Sequence, residues 1–335
     1  MLYCNCRENR IKFNQKRQVF FTPFLHTKGL LFMDKYTAKK IKNQESIKYI
    51  ANYLSCAGFI NYNNCGSFIE FFSDTKMIKK KVFQANFCEN RFCPMCQFRL
   101  AVKEGMMINL MMEAISQEAQ QEYLLVTLTA PNVKAEALSE TLDAYNLGFK
   151  NLCKRKKVLF INNGYVRKIE VTYNKKRNDY HPHIHAVFAV DKKYFRSKKY
   201  LKQQEWLELW QEVMDDKRIS QVNVKKAYKK DASFELAKYM AKSSDYTHSQ
   251  ATFDVFYQAL KGRQLITYNG LFKEYLKRYK AKELDIYKTH DDTEYCYRIL
   301  YRWHWKKYKE EWVKEMTQEE YQKLRKDAID DSRIF

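Results

Sequence analysis

Glycine and proline are scarce in this chain, at 8 and 4 of 335 residues. These residues punctuate flexible linkers and disordered tracts, so few such joints are expected, and boundaries must be read from pattern. Long apolar runs are missing too. No stretch approaches the ~18 apolar residues of a membrane span, and the opening MLYCNCRENR lacks the apolar core of a secretion signal, so the chain reads as cytoplasmic. No internal repeat or low-complexity tract stands out. Acidic residues are in deficit: 39 Asp and Glu face 61 Lys and Arg, a formal charge of +22. An excess of that size favours a polyanionic partner, nucleic acid ahead of an acidic membrane surface. Evenly paired cysteines are lacking as well. The nine cysteines are odd in number and three bunch at Cys88, Cys93 and Cys96, which argues for metal binding with reduced thiols over a disulfide framework.

What is present is ample apolar material, 45% hydrophobic and 16% aromatic, enough for one large domain or two modest ones. Periodicity predicts helices over residues 35–54, 97–118, 135–153, 197–214 and 231–242. Strands are predicted at 123–129, 165–173, 181–190 and 220–224, the middle two joined as a hairpin by the polar stretch 174–179. This order suits an α+β fold, an antiparallel sheet with helices packed on one face. Residues 295–306 alternate aromatic or apolar with basic residues, the pattern of a strand with one mostly basic face. That face, through Arg298, Arg302 and Lys306, is either a DNA-binding surface or a solvated strand. A last helix should begin at Thr317, which forms a capping box with Glu320.

His181-Pro-His-Ile-His185 places three imidazoles at i, i+2 and i+4 of a strand, so all three project to one face. Ile184, Ala186, Phe188 and Val190 take the other face, where helices can bury them. If the hairpin is symmetric about Lys176 and Arg177, Glu170 lies opposite His183, and cross-strand partners share a face. Two imidazoles and a carboxylate suit Mg²⁺ or Mn²⁺ and leave positions open for a phosphate oxygen. The expected metal residues are therefore His183, His185 and Glu170, with His181 either a further ligand or a group that orients the others.

Within residues 231–242, Glu235 and Tyr239 are four apart and share a helix face. There the carboxylate can accept a proton near the phenol or from a water. A phenol with a pKa of about 10 is a poor nucleophile unless a metal-polarised phosphodiester and flanking cations such as Lys238 and Lys242 assist it.

Cys88-x4-Cys93-x2-Cys96 has the spacing of a structural zinc site, with Cys65 as the fourth thiol and Cys56 as its competitor. Arg91 and Arg99 beside it are candidate DNA contacts. Cys4 and Cys6 read as free thiols, Cys153 and Cys296 as packing residues.

Taken together, Leu125-Val-Thr-Leu-Thr-Ala-Pro-Asn132, His181-Pro-His-Ile-His185 and Glu235-Leu-Ala-Lys-Tyr239 closely resemble the three ordered motifs of HUH endonucleases, specifically the replication initiators of small Gram-positive rolling-circle plasmids. The resemblance runs from about Cys65 to Glu274. It implies a split β-α-β core and a division into a basic N-terminal region (1–60), a cysteine-rich zinc-binding segment (61–105), an HUH endonuclease domain (106–275) and a C-terminal strand and helix (276–335) that is a candidate DNA-binding extension. It also implies that Tyr239 attacks the scissile phosphate at the double-strand origin, keeps the 5′ phosphate and frees a 3′-OH, and that Glu235 activates water to end the cycle. The partners it implies are plasmid origin DNA, single-stranded at the nick, a host helicase and polymerase, and a second copy of the chain as a candidate homodimer. An HUH transposase or relaxase is the rival within enzymes. A non-catalytic, zinc-containing DNA-binding regulator is the rival from another class, and it leaves the histidine triplet unexplained.

Overall fold

A computed structural model describes residues 27–228, 235–236, 241–288 and 292–327. Along the chain run α1 (Thr27–Ile50), α2 (Cys56–Asn64), β1 (Phe68–Asp74), β2 (Lys80–Ala85), α3 (Pro94–Glu118), β3 (Gln121–Thr129), α4 (Leu138–Lys154), α5 (Lys156–Ile161), β4 (Gly164–Asn174) and β5 (Asp179–Asp191). There follow α6 (Gln203–Met214), β6 (Val222–Ala227), α7 (Gln250–Leu260), β7 (Ile266–Gly270), α8 (Leu271–Lys280), β8 (Tyr295–His304), β9 (Lys307–Glu315) and α9 (Gln318–Asp327). Two antiparallel sheets result, a five-stranded one ordered β6-β3-β5-β4-β7 and a four-stranded one ordered β2-β1-β8-β9. The fold is α+β.

The larger sheet follows from alternation on β5. Ile184, Ala186, Phe188 and Val190 are all fully buried and join Leu124, Val126 and Leu128 of β3 and Ile169 and Val171 of β4 in one core. Helix α4 meets that face with Leu138, Leu142, Tyr145, Phe149 and Leu152, the i, i+4, i+7 spacing of a single apolar stripe. Helix α6 adds Trp206 and Trp210, and the Trp210 indole donates to the Thr129 carbonyl at 2.8 Å. Each such side chain contributes about 1.5–3 kcal/mol by leaving water. The predicted start of α6 moves from 197 to Gln203 because the Lys202 amide is capped by the Glu205 carboxylate at 3.0 Å. The strand predicted at 220–224 runs instead from Val222 to Ala227.

On the opposite face of this sheet α3 and α8 cover about half the length. Ile108, Met111, Met112 and Ile115 of α3 and Phe272 and Tyr275 of α8 bury Tyr123, Leu125, Val166, Val187 and Ala189. At the edge of that layer Lys168, opposite His185 in the β4–β5 register, makes a buried ion pair with Glu104 of α3. Beyond that pair the same face carries His185, Glu170, His183 and His181. The apolar layer thus forms a rigid floor up to Val187, and the polar cluster begins where it stops.

The smaller sheet joins distant parts of the chain. Strand β1, next to the cysteine-rich segment, pairs with β8 near the C-terminus, Phe71 opposite Ile299. The capping box at the start of α9 is formed: the Thr317 amide donates to Glu320 at 3.0 Å and the Glu320 amide to the Thr317 hydroxyl at 3.2 Å. The alternating stretch 295–306 is not one strand, because it ends at His304 and turns at Trp305-Lys306 into β9. Of its basic face, Arg298 meets the buried Glu70 carboxylate and Arg302 meets Glu311, while Lys306 is exposed in the turn. Among the described residues, no helix is long and apolar enough to cross a membrane.

Candidate active site

Strands β4 and β5 pair in the register that sets Glu170 opposite His183. From there one Glu170 carboxylate oxygen lies 3.0 Å from His183 Nε2 and 3.1 Å from His185 Nε2. One donor atom from each residue lies within 4.8 Å of the others, a grouping that could hold a metal ion. Burial pushes the Glu170 carboxyl up, but its hydrogen bonds with His183 and His185 outweigh that and hold it well below the ordinary range, so it is anionic.

The outer nitrogens fit the same purpose. His183 Nδ1 faces the His181 carbonyl at 3.3 Å. His185 Nδ1 faces the Thr127 hydroxyl at 3.2 Å and the Glu235 carboxylate at 3.7 Å. Metal-binding imidazoles usually give their second N–H to a carbonyl or carboxylate, which turns the other lone pair inward. Here both Nε2 atoms point inward at a carboxylate, so the donor set suits a divalent cation.

His181 stands apart from that group. Its Nδ1 bonds Asn132 Oδ1 at 2.9 Å, while the Asn132 amide donates to Asp179 at 2.7 Å. Asn132 reaches this position because Val133, one residue further, exchanges both backbone hydrogen bonds with Tyr180. A groove of about 550 Å³ opens beside His181, lined also by Asn132, Thr172, Tyr173 and the hairpin cations Lys175, Lys176 and Arg177. Thr127, Asn132 and these cations escape a reading of the sequence residue by residue. The signal for the first two was their place in Leu125-Val-Thr-Leu-Thr-Ala-Pro-Asn132.

Glu235 is helical and sits beside His185, whereas Lys238 and Tyr239 lie outside the described residues. The helix expected over 231–242 has ended by Ala241, and Lys242 is exposed. Arg91 is tied to the fold, its guanidinium donating to the Leu260 and Arg263 carbonyls at 2.5 and 2.7 Å. Arg99 lies 4.2 Å from the centroid of the Phe87 ring.

A second cluster gathers four thiols. Cys65 Sγ is 3.6 Å from Cys96 and 3.5 Å from Cys93, and Cys88 is 3.7 Å from Cys96. A tetrahedral site with ~2.3 Å metal–sulfur bonds has edges of about 3.8 Å, so these spacings fit one ion. Cys56 is exposed and takes no part, and Cys4 and Cys6 lie outside the described residues.

An antiparallel sheet that carries two imidazoles and a buried carboxylate on one face, in a chain of charge +22, defines an α+β protein with a candidate metal site. Residues 79–311, more than half the chain, match the family model described as replication protein, and the chain belongs to that family. It is 44% identical over 217 residues to a Staphylococcus aureus protein named protein rep, covering 64% of this chain and 95% of the relative. Similar proteins of the same name occur in Streptococcus pneumoniae, 32% identical over 64% of this chain and 71% of the relative, and in Bacillus amyloliquefaciens, 30% identical over 70% and 78%. No solved structure matches the chain.

Proposed function

We propose that this replication protein starts plasmid rolling-circle replication by nicking one strand of the origin through Tyr239. The observation that supports this most is the convergence of His183 Nε2, His185 Nε2 and a Glu170 oxygen on one point, with Glu235 beside His185. The Tyr239 oxygen would attack the scissile phosphorus as the bond to the 3′ oxygen breaks. The 5′ phosphate stays on the tyrosine, and the departing 3′ oxygen takes up a proton to become the primer hydroxyl. His183, His185 and Glu170 would hold Mg²⁺ or Mn²⁺, which when bound supplies positive charge to polarise the phosphodiester. Thr127 and the His181 carbonyl orient the two imidazoles. Lys175, Lys176 and Arg177 would hold flanking phosphates of the single strand in the groove beside His181. Cys65, Cys88, Cys93 and Cys96 would bind a structural zinc. Origin DNA, a host helicase and a polymerase are the partners this reading requires.

A supercoiled plasmid carrying the cognate origin tests it. The wild-type chain should yield a divalent-metal-dependent nick and a covalent protein–DNA adduct, and Tyr239→Phe should yield neither. Undiminished adduct in that variant would reject the nucleophile.

Glu235 separates initiation from termination. It lies near His185 and four residues before the tyrosine, and in this reading it would take a proton from water as the phosphotyrosine link is hydrolysed. Glu235→Ala should therefore still nick but accumulate adduct, read by gel over successive turnovers. Equal loss of both steps counts against this role.

A further inference from the structure

The turn between β8 and β9 is unusual for its composition. His304 pairs with Lys307, so Trp305 and Lys306 alone form the loop, with φ of 45° and 67°. A two-residue hairpin with both central residues at positive φ favours Asn-Gly, whose members tolerate the left-handed region. A tryptophan there is strained, and the residue is 86% exposed, whereas Trp206 and Trp210 are fully buried. Strain at an exposed side chain points from backbone to function.

The surroundings name the partner. From Trp303 to Lys309 there is no acidic residue, and Lys306, Lys307 and Lys309, next to it in the chain, are exposed. Lysines on an edge strand discourage sheet-to-sheet association, but that leaves the exposed tryptophan unaccounted for. The base of the hairpin is held firmly. The Trp303 amide donates to the Ser67 carbonyl at 2.7 Å, and the Tyr308 hydroxyl donates to the Gly66 carbonyl at 2.5 Å. Gly66 has φ of 67°, and a Cβ there would come within 3.1 Å of the Tyr308 hydroxyl and 2.6 Å of Met95, so the absence of a side chain lets Tyr308 sit close. The Trp303 ring meets Tyr308 edge to face at 5.1 Å. A rigid, cationic finger thus presents one flat aromatic surface to solvent.

We propose that Trp305 stacks on an unpaired base of single-stranded DNA while Lys306 and Lys307 hold the adjoining phosphates, at a contact separate from the His183–His185 site. Stacking on an aromatic ring accepts any base, and lysines track the backbone, so this contact would add affinity without sequence preference. The inference rests on the reading of the chain as a DNA-nicking protein only in taking DNA as the ligand.

The test is equilibrium binding of the full chain to a dye-labelled oligothymidylate, followed by anisotropy. Trp305→Ala should weaken binding by roughly 5- to 150-fold, the loss expected for one stacked base, and Trp305→Phe should keep most of it. Lys306→Gln with Lys307→Gln should lower the slope of log affinity against log salt by about 1.4, two phosphate contacts on a single strand. The pair Trp305→Asn and Lys306→Gly installs the favoured turn and should raise the melting temperature while losing affinity. Trp305→Ala binding within twofold of wild type overturns the proposal, as does equal loss on a fully paired duplex or a loss of affinity that comes only with lower stability. No cleavage is involved, so a chain that fails to nick through Tyr239 leaves this result to stand or fall alone.

Discussion

Glu170→Gln is expected to lower nicking of a supercoiled origin plasmid by on the order of 10³ and to abolish any rise in melting temperature on adding Mn²⁺. The factor follows from the several kcal/mol of charge stabilisation a bound cation supplies, at about 1.4 kcal/mol per tenfold. Without Glu170 the cluster offers two imidazoles and no carboxylate, a much poorer cation site. A ligand present at 100 times its Kd stabilises the folded chain by about 2.7 kcal/mol, so the thermal shift reports binding directly.

A cooperative melt without metal separates this outcome from misfolding. Glu170 is 6% exposed, and its hydrogen bonds with His183 and His185 outweigh the cost of burying the carboxylate, so the anion contributes stability to the metal-free fold at neutral pH. Glutamine removes that charge and keeps the shape and one acceptor oxygen. The metal-free variant should therefore melt a little below the metal-free wild type, still in one cooperative transition. Nicking within tenfold of wild type, or a melting temperature that still climbs with Mn²⁺, would refute the assignment of Glu170.

Much of the candidate site was legible because it is built by one local hairpin. Strand alternation put the histidines on one face, and the symmetry of the 174–179 turn placed Glu170 opposite His183, the register found. The four thiols were legible for a related reason, since three lie within nine residues and only Cys65 had to be chosen over Cys56. What could not be read depends on pairings between distant segments. Thr127 meets His185 because β3 and β5 pair across intervening helices. Nothing local tells that α3 and α8 cover half of the sheet face that carries the histidines. The basic face of residues 295–306 could be read as a DNA surface or a solvated strand, but Arg298 is matched to Glu70, more than two hundred residues earlier, once β1 and β8 pair. The tip of the same hairpin, too short a feature to show in a period-2 pattern, is what stays exposed.

Cys93→Ser, or treatment of the wild type with a zinc chelator, is expected to collapse the segment around β1 and β8 and release one zinc per chain. The four thiols sit where α1, α2, β1 and the start of α3 meet in one core, with Tyr36 packed edge-on against Phe71 and Phe98. The Asn43 amide donates to Cys93 Sγ at 3.4 Å from α1, and Cys65 ends α2. Lys40, 1% exposed, donates to the Cys65 and Asn63 carbonyls at 2.7 and 2.8 Å. Burial pushes the Lys40 pKa down, and the neighbouring Cys65, Cys93 and Cys88 sulfurs push it back up. A zinc bound by four thiolates carries a net charge of about −2, which gives this buried ammonium the counter-charge it needs. With zinc gone the four sulfurs are no longer held as one charged group and Lys40 loses that fixed partner, so two stabilising terms are lost together. Structural zinc contributes about 10–16 kcal/mol in finger peptides, comparable to the ~5–15 kcal/mol stability of a whole domain, so the loss should be cooperative and large. Elemental analysis gives the zinc content, and near-ultraviolet circular dichroism with a melting curve gives the collapse. Because β8 and β9 rest on Gly66 and Ser67, binding through Trp305 should fall with it. Mn²⁺ should restore neither, since thiolates select zinc over harder cations. A chain purified without zinc that melts as the wild type does would refute the site.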